Sequence, residues 1–249
     1  FGIDDKWFGD GRSDGEWRDS NVRFTGPAVS QLQSAFTACW AEATGELLVG
    51  ERLYPVNDEN TDGRDGPVTA GLLHGSPSVG STEAERFFAL SIASARERLY
   101  ITNSYFVPDR DFRKLLCEAA RRGVDVRILT VSSATEVKST WYAGRARYEH
   151  LLRGGVRIYE YQPVMMHAKT LVVDGTYSAV GSMNADNRSL SLNEETVLMT
   201  LDEGVAAQVE GHFMEDLKFS KEITLEEFNS RSITDRIKER VCYSFWRIL

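Results

Sequence analysis

Residues 166–189, MHAKTLVVDGTYSAVGSMNADNRS, hold two apolar runs, 170–173 and 178–180, on either side of Asp174-Gly175. Asp-Gly between such runs is a strong signal for a two-residue hairpin turn. On the first strand His167 and Lys169 stand two apart, so an imidazole and an ammonium project from one face, while Asp174 has the opposite parity and sits at the turn. A two-residue turn pairs Val173 with Thr176. Carried outward, that register places Ser182 opposite His167 and Asn184 opposite Met165.

A proton-transfer or nucleophilic group, a cation and two neutral hydrogen-bonding groups on one patch make a phosphate site that needs no metal. Lys169 neutralises non-bridging oxygens, Ser182 and Asn184 donate to them, and His167 attacks phosphorus or moves the leaving group's proton. Asp174 lies too far round the turn for that chemistry and is expected to accept backbone N–H bonds or pair with a cation. A lone histidine in a strand is ordinarily a core or surface residue; the whole string H-x-K-x4-D-G-x5-G-S-x-N is far more specific.

Outward from this stretch the chain alternates strand and helix. Strands are expected over 68–73, 99–103, 124–131, 156–161 and 196–201. Helices are expected over 81–95, capped by Ser81 or Thr82, over 109–122 closed by Gly123, over 137–153, and over 204–219. Such a βα rhythm implies an α/β sandwich on a largely parallel or mixed sheet. Upstream, residues 21–29 (NVRFTGPAV) alternate like a strand and run into an amphipathic helix over 27–43. Between the two parts, PVNDENTDGRDGP at 55–67 has almost nothing apolar to bury and reads as a linker. The chain thus divides into 1–54, the linker 55–67, a main lobe 68–222 and a helical tail 223–249.

With 249 residues, 42% hydrophobic and 27% charged, the chain can bury roughly 70–75% of its unfolded surface, which excludes wholesale disorder. A net charge of −8 argues against a polyanion-binding surface spread over the molecule. Cys39, Cys117 and Cys242 are far apart and read as core or incidental thiols. His74, His150 and His212 have no metal-like partners at i+2 to i+4, and no P-loop or Rossmann glycine pattern occurs, so neither metal nor nucleotide cofactor is implied. No stretch nears the roughly 18 apolar residues of a spanning helix, and residues 1–20 lack a signal peptide's layout, so a soluble or peripheral chain is expected. Residues 241–249 (VCYSFWRIL), after the basic Arg231, Arg236, Lys238 and Arg240, suit an interfacial helix or one docked on the protein itself.

The string His167, Lys169, Asp174, Gly181, Ser182, Asn184 resembles the HKD motif of the phospholipase D superfamily, and its surroundings resemble bacterial cardiolipin synthases. Supporting stretches are YFVPD at 105–109, AARRGVDV at 119–126, GVRIYEY at 155–161, DNRS at 186–189 and LNEE at 192–195. The resemblance implies a phospholipase D-like α/β/α sandwich with a central mixed sheet, its second lobe complete and its first lobe partial. Members of this kind carry two HKD motifs, one per lobe, around a shared site. Here Gly2-Ile3-Asp4 matches Asn184-Ala185-Asp186, Asp19 matches Glu195, and the first histidine and lysine are expected just before Phe1.

What the resemblance implies further is phosphatidyl transfer through a phosphohistidine, one histidine attacking and the other serving as acid and base. His167 takes the acid and base part, Glu195 holds a catalytic histidine's tautomer, and Asp4 and Asp19 support the absent first motif. Asp19 is then idle here. The expected partners are a phosphatidylglycerol-like substrate and a membrane surface, not nucleic acid, with the missing amino-terminal half or a second copy completing the site. Location at the bacterial cytoplasmic membrane follows, peripheral or anchored by an absent amino-terminal segment. The alternatives are hydrolysis of phospholipid by water, a nuclease of the same superfamily, and a catalytically dead scaffold.

Overall fold

The structure, a computed structural model, describes residues 2–54, 68–77 and 82–245. The expected linker 55–67, Ser81 and residues 246–249 lie outside the described residues. In chain order come a short 3-10 turn (Asp5–Trp7), β1 (Trp17–Arg18), α1 (Ala28–Thr44), β2 (Thr69–Gly75), α2 (Glu83–Ser94), β3 (Arg98–Asn103), α3 (Arg110–Arg121) and β4 (Asp125–Val131). There follow α4 (Lys138–Arg145), α5 (Tyr148–Arg153), β5 (Arg157–Tyr161), β6 (Met165–Met166), β7 (Lys169–Val173), β8 (Tyr177–Gly181) and α6 (Asn187–Ser191). Last are β9 (Glu195–Leu201), α7 (Glu203–Leu217), β10 (Ser220–Ile223), α8 (Leu225–Asn229) and α9 (Ile233–Ser244).

Eight strands form one mixed sheet in the order β10-β5-β4-β3-β7-β8-β9-β2, and β1 pairs with β6 apart from it. β3, β4 and β5 run parallel; the remaining neighbours in the large sheet are antiparallel. Period-two alternation sorts the side chains onto two buried faces. Leu99, Ile101, Ile128 and Ile158 pack with Phe88 and Ile92 of α2, Leu116 of α3 and Leu151 of α5. Their neighbours Tyr100, Leu129 and Tyr159 pack on the other face with Phe213 of α7, Tyr100 and Phe213 stacked at 4.9 Å. Helices on both faces of a mixed sheet make the α/β/α sandwich expected. Asp109 caps α3 by accepting from the Phe112 N–H at 2.7 Å, and Gly123 follows that helix at φ +95°.

Five local points differ from the sequence reading. Residues 21–25 are not a strand: alternation makes one only where a neighbour supplies ladder partners, and among the described residues no sheet ladder includes them. The helix expected over 137–153 is two, α4 and α5. A Cβ at Gly144 would lie 2.4 Å from the Phe106 carbonyl oxygen, so the end of α4 is pressed against that backbone where only glycine fits. Ser220–Ile223, too charged to look like a strand, is the edge strand β10, its Glu222 bonded to Arg157 at 2.9 Å. Thr82 precedes α2 without capping it through its side chain.

The fifth is the hairpin register. The Thr176 N–H closes the turn onto the Val173 carbonyl at 3.1 Å, with Asp174 at φ +52° and Gly175 at φ +67°. Val173 nevertheless faces Tyr177 and Thr170 faces Val180, because Thr176 stays outside the ladder and turns its carbonyl to the Asp202 N–H at 2.9 Å. The extrapolated placement of Ser182 and Asn184 opposite His167 and Met165 therefore does not hold.

Asp174 accepts from the backbone N–H groups of Arg96, Glu97 and Arg98 at 3.0, 2.8 and 2.9 Å. Burial pushes its carboxyl up, but those donors and the Arg98 guanidinium outweigh burial and hold it below the usual carboxylate value. Replacement D174N is expected to cost about 1–3 kcal/mol, read as a lower urea midpoint at neutral pH. Because the folded carboxyl is depressed, the parent's advantage is complete above the ordinary carboxylate value of about 3.9 and disappears as pH falls through the lower folded value. A gap between parent and D174N that survives at pH well below that range contradicts the assignment.

Candidate active site

Lys169 opens β7 opposite Asn103 of β3 and is 7% exposed. Its ammonium donates to Ser104 Oγ at 3.0 Å and to the His167 carbonyl. Burial lowers its pKa to about 8, against the raising effect of the Asp19, Glu195 and Asp186 carboxylates around it. His167 lies just before β7. Its backbone N–H donates to the Arg18 carbonyl at 2.7 Å, and its Nδ1 lies 3.1 Å from Asp19 Oδ2. The imidazole packs against Trp7 and Trp17, at ring separations of 4.8 and 5.1 Å. A carboxylate at Nδ1 takes that nitrogen's N–H and leaves the lone pair on Nε2. The side chain is 29% exposed, and Nε2 has no hydrogen-bond partner among the described residues.

The segment that brings Asp19 here arrives from far along the chain. Trp17 and Arg18 of β1 run parallel to Met165 and Met166 of β6. Arg18 Nε donates to Asp216 of α7 at 2.8 Å, and the Tyr161 hydroxyl donates to the Gly11 carbonyl at 2.8 Å. Gly11 sits at φ +68° with the Arg18 Cα 2.6 Å from where a Cβ would be, so this close crossing requires glycine. Tyr161, Met165 and Met166 are core residues at 0, 4 and 0% exposure.

One pairing differs from expectation. Asp19, expected to be idle without a first histidine, is bonded to His167. Glu195 does not reach His167. It begins β9, two strands from β7 or roughly 10 Å in the sheet, and accepts instead from Ser189 Oγ at 2.7 Å, Asn193 Nδ2 at 3.3 Å and Ser182 Oγ. Ser182 and Asn184 follow the end of β8. Ser182 commits its hydroxyl to Glu195, while Asn184 Oδ1 accepts from the Tyr105 N–H at 3.4 Å. Asp4 stays apart, 64% exposed and 4.0 Å from Lys6, in an open depression of about 620 Å³ lined by Ile3, Asp5, Trp7 and Trp17.

Sequence reasoning missed Trp7, Trp17, Arg18 and Asp216, whose roles depend on a crossing no local pattern announces. It also missed Asn103, which clamps the loop after β8 by donating to the Met183 carbonyl at 3.3 Å and accepting from the Ala185 N–H at 2.9 Å. Asp186 caps α6 through the Ser189 N–H at 2.8 Å. Burial raises it to about 6; the Ser189 N–H works against that and the nearby Glu195 with it. Among the described residues the cluster able to hold a metal is Cys39, His74 and Glu194.

Residues 90–217 match the model of the family described as "Cardiolipin synthase, PLD-like domain", a span of more than half the chain. The chain belongs to this family. A cardiolipin synthase of Clostridium perfringens is 33% identical over 242 residues, covering 97% of this chain and 51% of that protein. Cardiolipin synthase A of Pseudomonas putida is 36% identical over 227 residues, covering 90% of this chain and 45% of that protein. The chain therefore spans about half the length of the curated relatives it matches. Among solved structures, the phosphatidylserine synthase of Haemophilus influenzae overlays with a TM-score of 0.59 at 16% identity, covering 73% of this chain and 46% of that one. The phospholipase D family member Nuc of Salmonella typhimurium gives 0.53 at 17% identity, covering 64% of this chain and 99% of that one. Both likenesses establish the phospholipase D fold.

Burial pushes the Asp19 carboxyl up, but hydrogen bonds from His167 and the Ser20 N–H, with the nearby charges, bring it below its ordinary value. In H167A the carboxyl keeps its burial and loses that partner, so it is expected to titrate at higher pH than in the parent. In D19N the Lys169 ammonium is expected to titrate below about 8. Side-chain NMR titrations of the folded chain read both shifts; an unmoved Asp19 in H167A contradicts the pairing.

Proposed function

We propose that this chain supplies one half of a phosphatidyltransferase site of the cardiolipin synthase kind, with residues 1–54 from a first lobe and 68–222 forming the second. The observation that carries the reading is His167, held at Nδ1 by Asp19 and open at Nε2, beside the buried cation of Lys169. In the proposed reaction one imidazole attacks the phosphorus of a phosphatidyl donor. A P–N bond forms as the P–O bond to the headgroup alcohol breaks, and the second imidazole protonates the departing oxygen. That second imidazole then takes the acceptor alcohol's proton, the acceptor oxygen attacks phosphorus, and the P–N bond breaks. One ring cannot be nucleophile and acid in the same step. His167 is assigned the acid and base part by resemblance to the family, and Lys169 neutralises the non-bridging oxygens.

The carboxylates support this reading in a crossed arrangement. Asp19, from the first-lobe segment, holds the second-lobe histidine. Glu195, its counterpart by the pattern match, is buried and accepts from Ser189 Oγ, with no imidazole bonded to it among the described residues. Glu195 accordingly holds the first-lobe histidine, supplied by the amino-terminal half of the same protein or by a second copy. Ser182 and Asn184 keep their proposed part as phosphate donors once substrate displaces their present partners. Asp4 is not drawn into this centre, and Asp174 acts through the fold alone.

The substrate class is an anionic phospholipid such as phosphatidylglycerol, and the site works at a membrane surface of a bacterial cell. No helix among the described residues is long and apolar enough to cross a membrane. α9 and the Phe245 that closes it expose Ile233, Ile237, Val241 and Phe245 at four-residue spacing, an apolar stripe suited to a lipid interface.

In the complete two-motif protein, H167A is expected to lower cardiolipin formation from phosphatidylglycerol vesicles by about 10³-fold or more, with thermal stability nearly unchanged. Retained synthesis rejects the role given to His167. The 249-residue chain alone is expected to release no glycerol and form no cardiolipin; robust turnover by it as a monomer overturns the two-half site. Product analysis with and without alcohol acceptor separates transfer from hydrolysis.

A further inference from the structure

Cys39 of α1, His74 of β2 and Glu194, just before β9, come from three separate stretches of the chain and meet at the sheet edge. Cys39 Sγ lies 3.9 Å from His74 Nε2, Glu194 Oε2 lies 2.6 Å from the same nitrogen, and the three donor atoms are all within 4.8 Å of one another. Sulfur and carboxylate thus converge on one ring nitrogen. A nucleophile, imidazole and carboxylate relay uses opposite ring nitrogens, since Nε2 carries either one proton or one lone pair and cannot serve two partners. Three unlike donors facing a common point are the arrangement of ligands around a cation.

We infer that Cys39, His74 and Glu194 form a binding site for a borderline-soft divalent transition-metal ion of the zinc class. With bonds of about 2.3 Å to sulfur and 2.0–2.1 Å to nitrogen and oxygen, a tetrahedral ion sets the sulfur–nitrogen edge near 3.6 Å and the nitrogen–oxygen edge near 3.4 Å. The first is nearly met, and the second requires Glu194 to swing out by about 0.8 Å. Ser76 Oγ donates to Glu194 Oε1 at 2.9 Å, orienting the carboxylate and leaving Oε2 for the ion. The His74 and Glu194 side chains are 25 and 33% exposed, which gives the ion a route in and a water its fourth position. Thiolate and imidazole exclude calcium and magnesium, which take all-oxygen sets.

Binding converts the Cys39 S–H to an S–metal bond and releases its proton to the buffer, so thiolate and carboxylate together balance the ion's two charges. The ion clips α1 to the edge strand β2, where the Leu72 N–H already donates to Gln31 Oε1 at 2.7 Å, and it sits one residue from Glu195. Local spacing cannot reveal such a site, because 35 and 120 residues separate its members.

The test uses the untagged 249-residue chain, stripped with chelator. Zinc is expected to bind at one equivalent and to raise Tm by about 5–10 °C at free metal near a hundred times Kd. Cobalt(II) is expected to give a thiolate-to-cobalt charge-transfer band in the near ultraviolet, absent in C39S. S76A, which leaves all three donors in place, weakens zinc about 10–100-fold, and H74A and E194Q weaken it more. Far-ultraviolet circular dichroism of the metal-free variants checks that each is folded, and any folded one of the three ligand variants suffices for the comparison. No zinc uptake, no charge-transfer band in the parent, or undiminished affinity in a folded ligand variant overturns the site.

Discussion

The parallel pairing of Trp17 and Arg18 with Met165 and Met166 decides whether there is a site at all. Two residues of ladder are weak alone, so the register is held by what Arg18 does in two directions. Its carbonyl accepts the His167 N–H while its guanidinium is bonded to Asp216, both side chains 15% exposed or less. Taking that pair out of water has a cost, and burial keeps Asp216 above its usual value despite Arg18. The return is positional: with Arg18 fixed at both ends, Asp19 can lie only beside the imidazole.

Charge around Lys169 works against the binding of an anion by this chain alone. One ammonium, already lowered to about 8 by burial, stands among Asp19, Glu195 and Asp186. Asp186 remains partly protonated up to about pH 6, but above that the count is one cation against three carboxylates. An anionic diester entering this cluster meets net repulsion. One further ammonium would bring that count to two against three, so on the proposed two-half reading the second half relieves part of the repulsion.

What could be read in advance follows the range of the forces involved. Strand alternation and helix punctuation are local, and β2 to β5, β7 to β9, α2, α3 and α7 fall where the pattern puts them. The break between α4 and α5 depends on Phe106, some forty positions away from Gly144, and β10 depends on Arg157 giving Glu222 a partner. The string around His167 was legible because His167 and Lys169 stand two apart at the start of β7. The carboxylate that serves His167 was not, since Asp19 is separated from it by 148 residues and only tertiary packing joins them.

Asp174 belongs to the same string although it touches nothing reactive, and sheet geometry accounts for that. Leu99 pairs with Val173 at one end of the β3–β7 ladder and Asn103 with Lys169 at the other. A slip of one residue along this ladder would turn Lys169 to the opposite face. The Asp174 N–H bonds the Arg98 carbonyl at 3.0 Å, and its carboxylate gathers the three N–H groups of residues 96–98, so the ladder is pinned at its far end. Five residues of strand carry that constraint over roughly 17 Å to the ammonium. The separation of lysine and aspartate in the string is therefore the length of one strand: the aspartate sets the register and the lysine inherits its position.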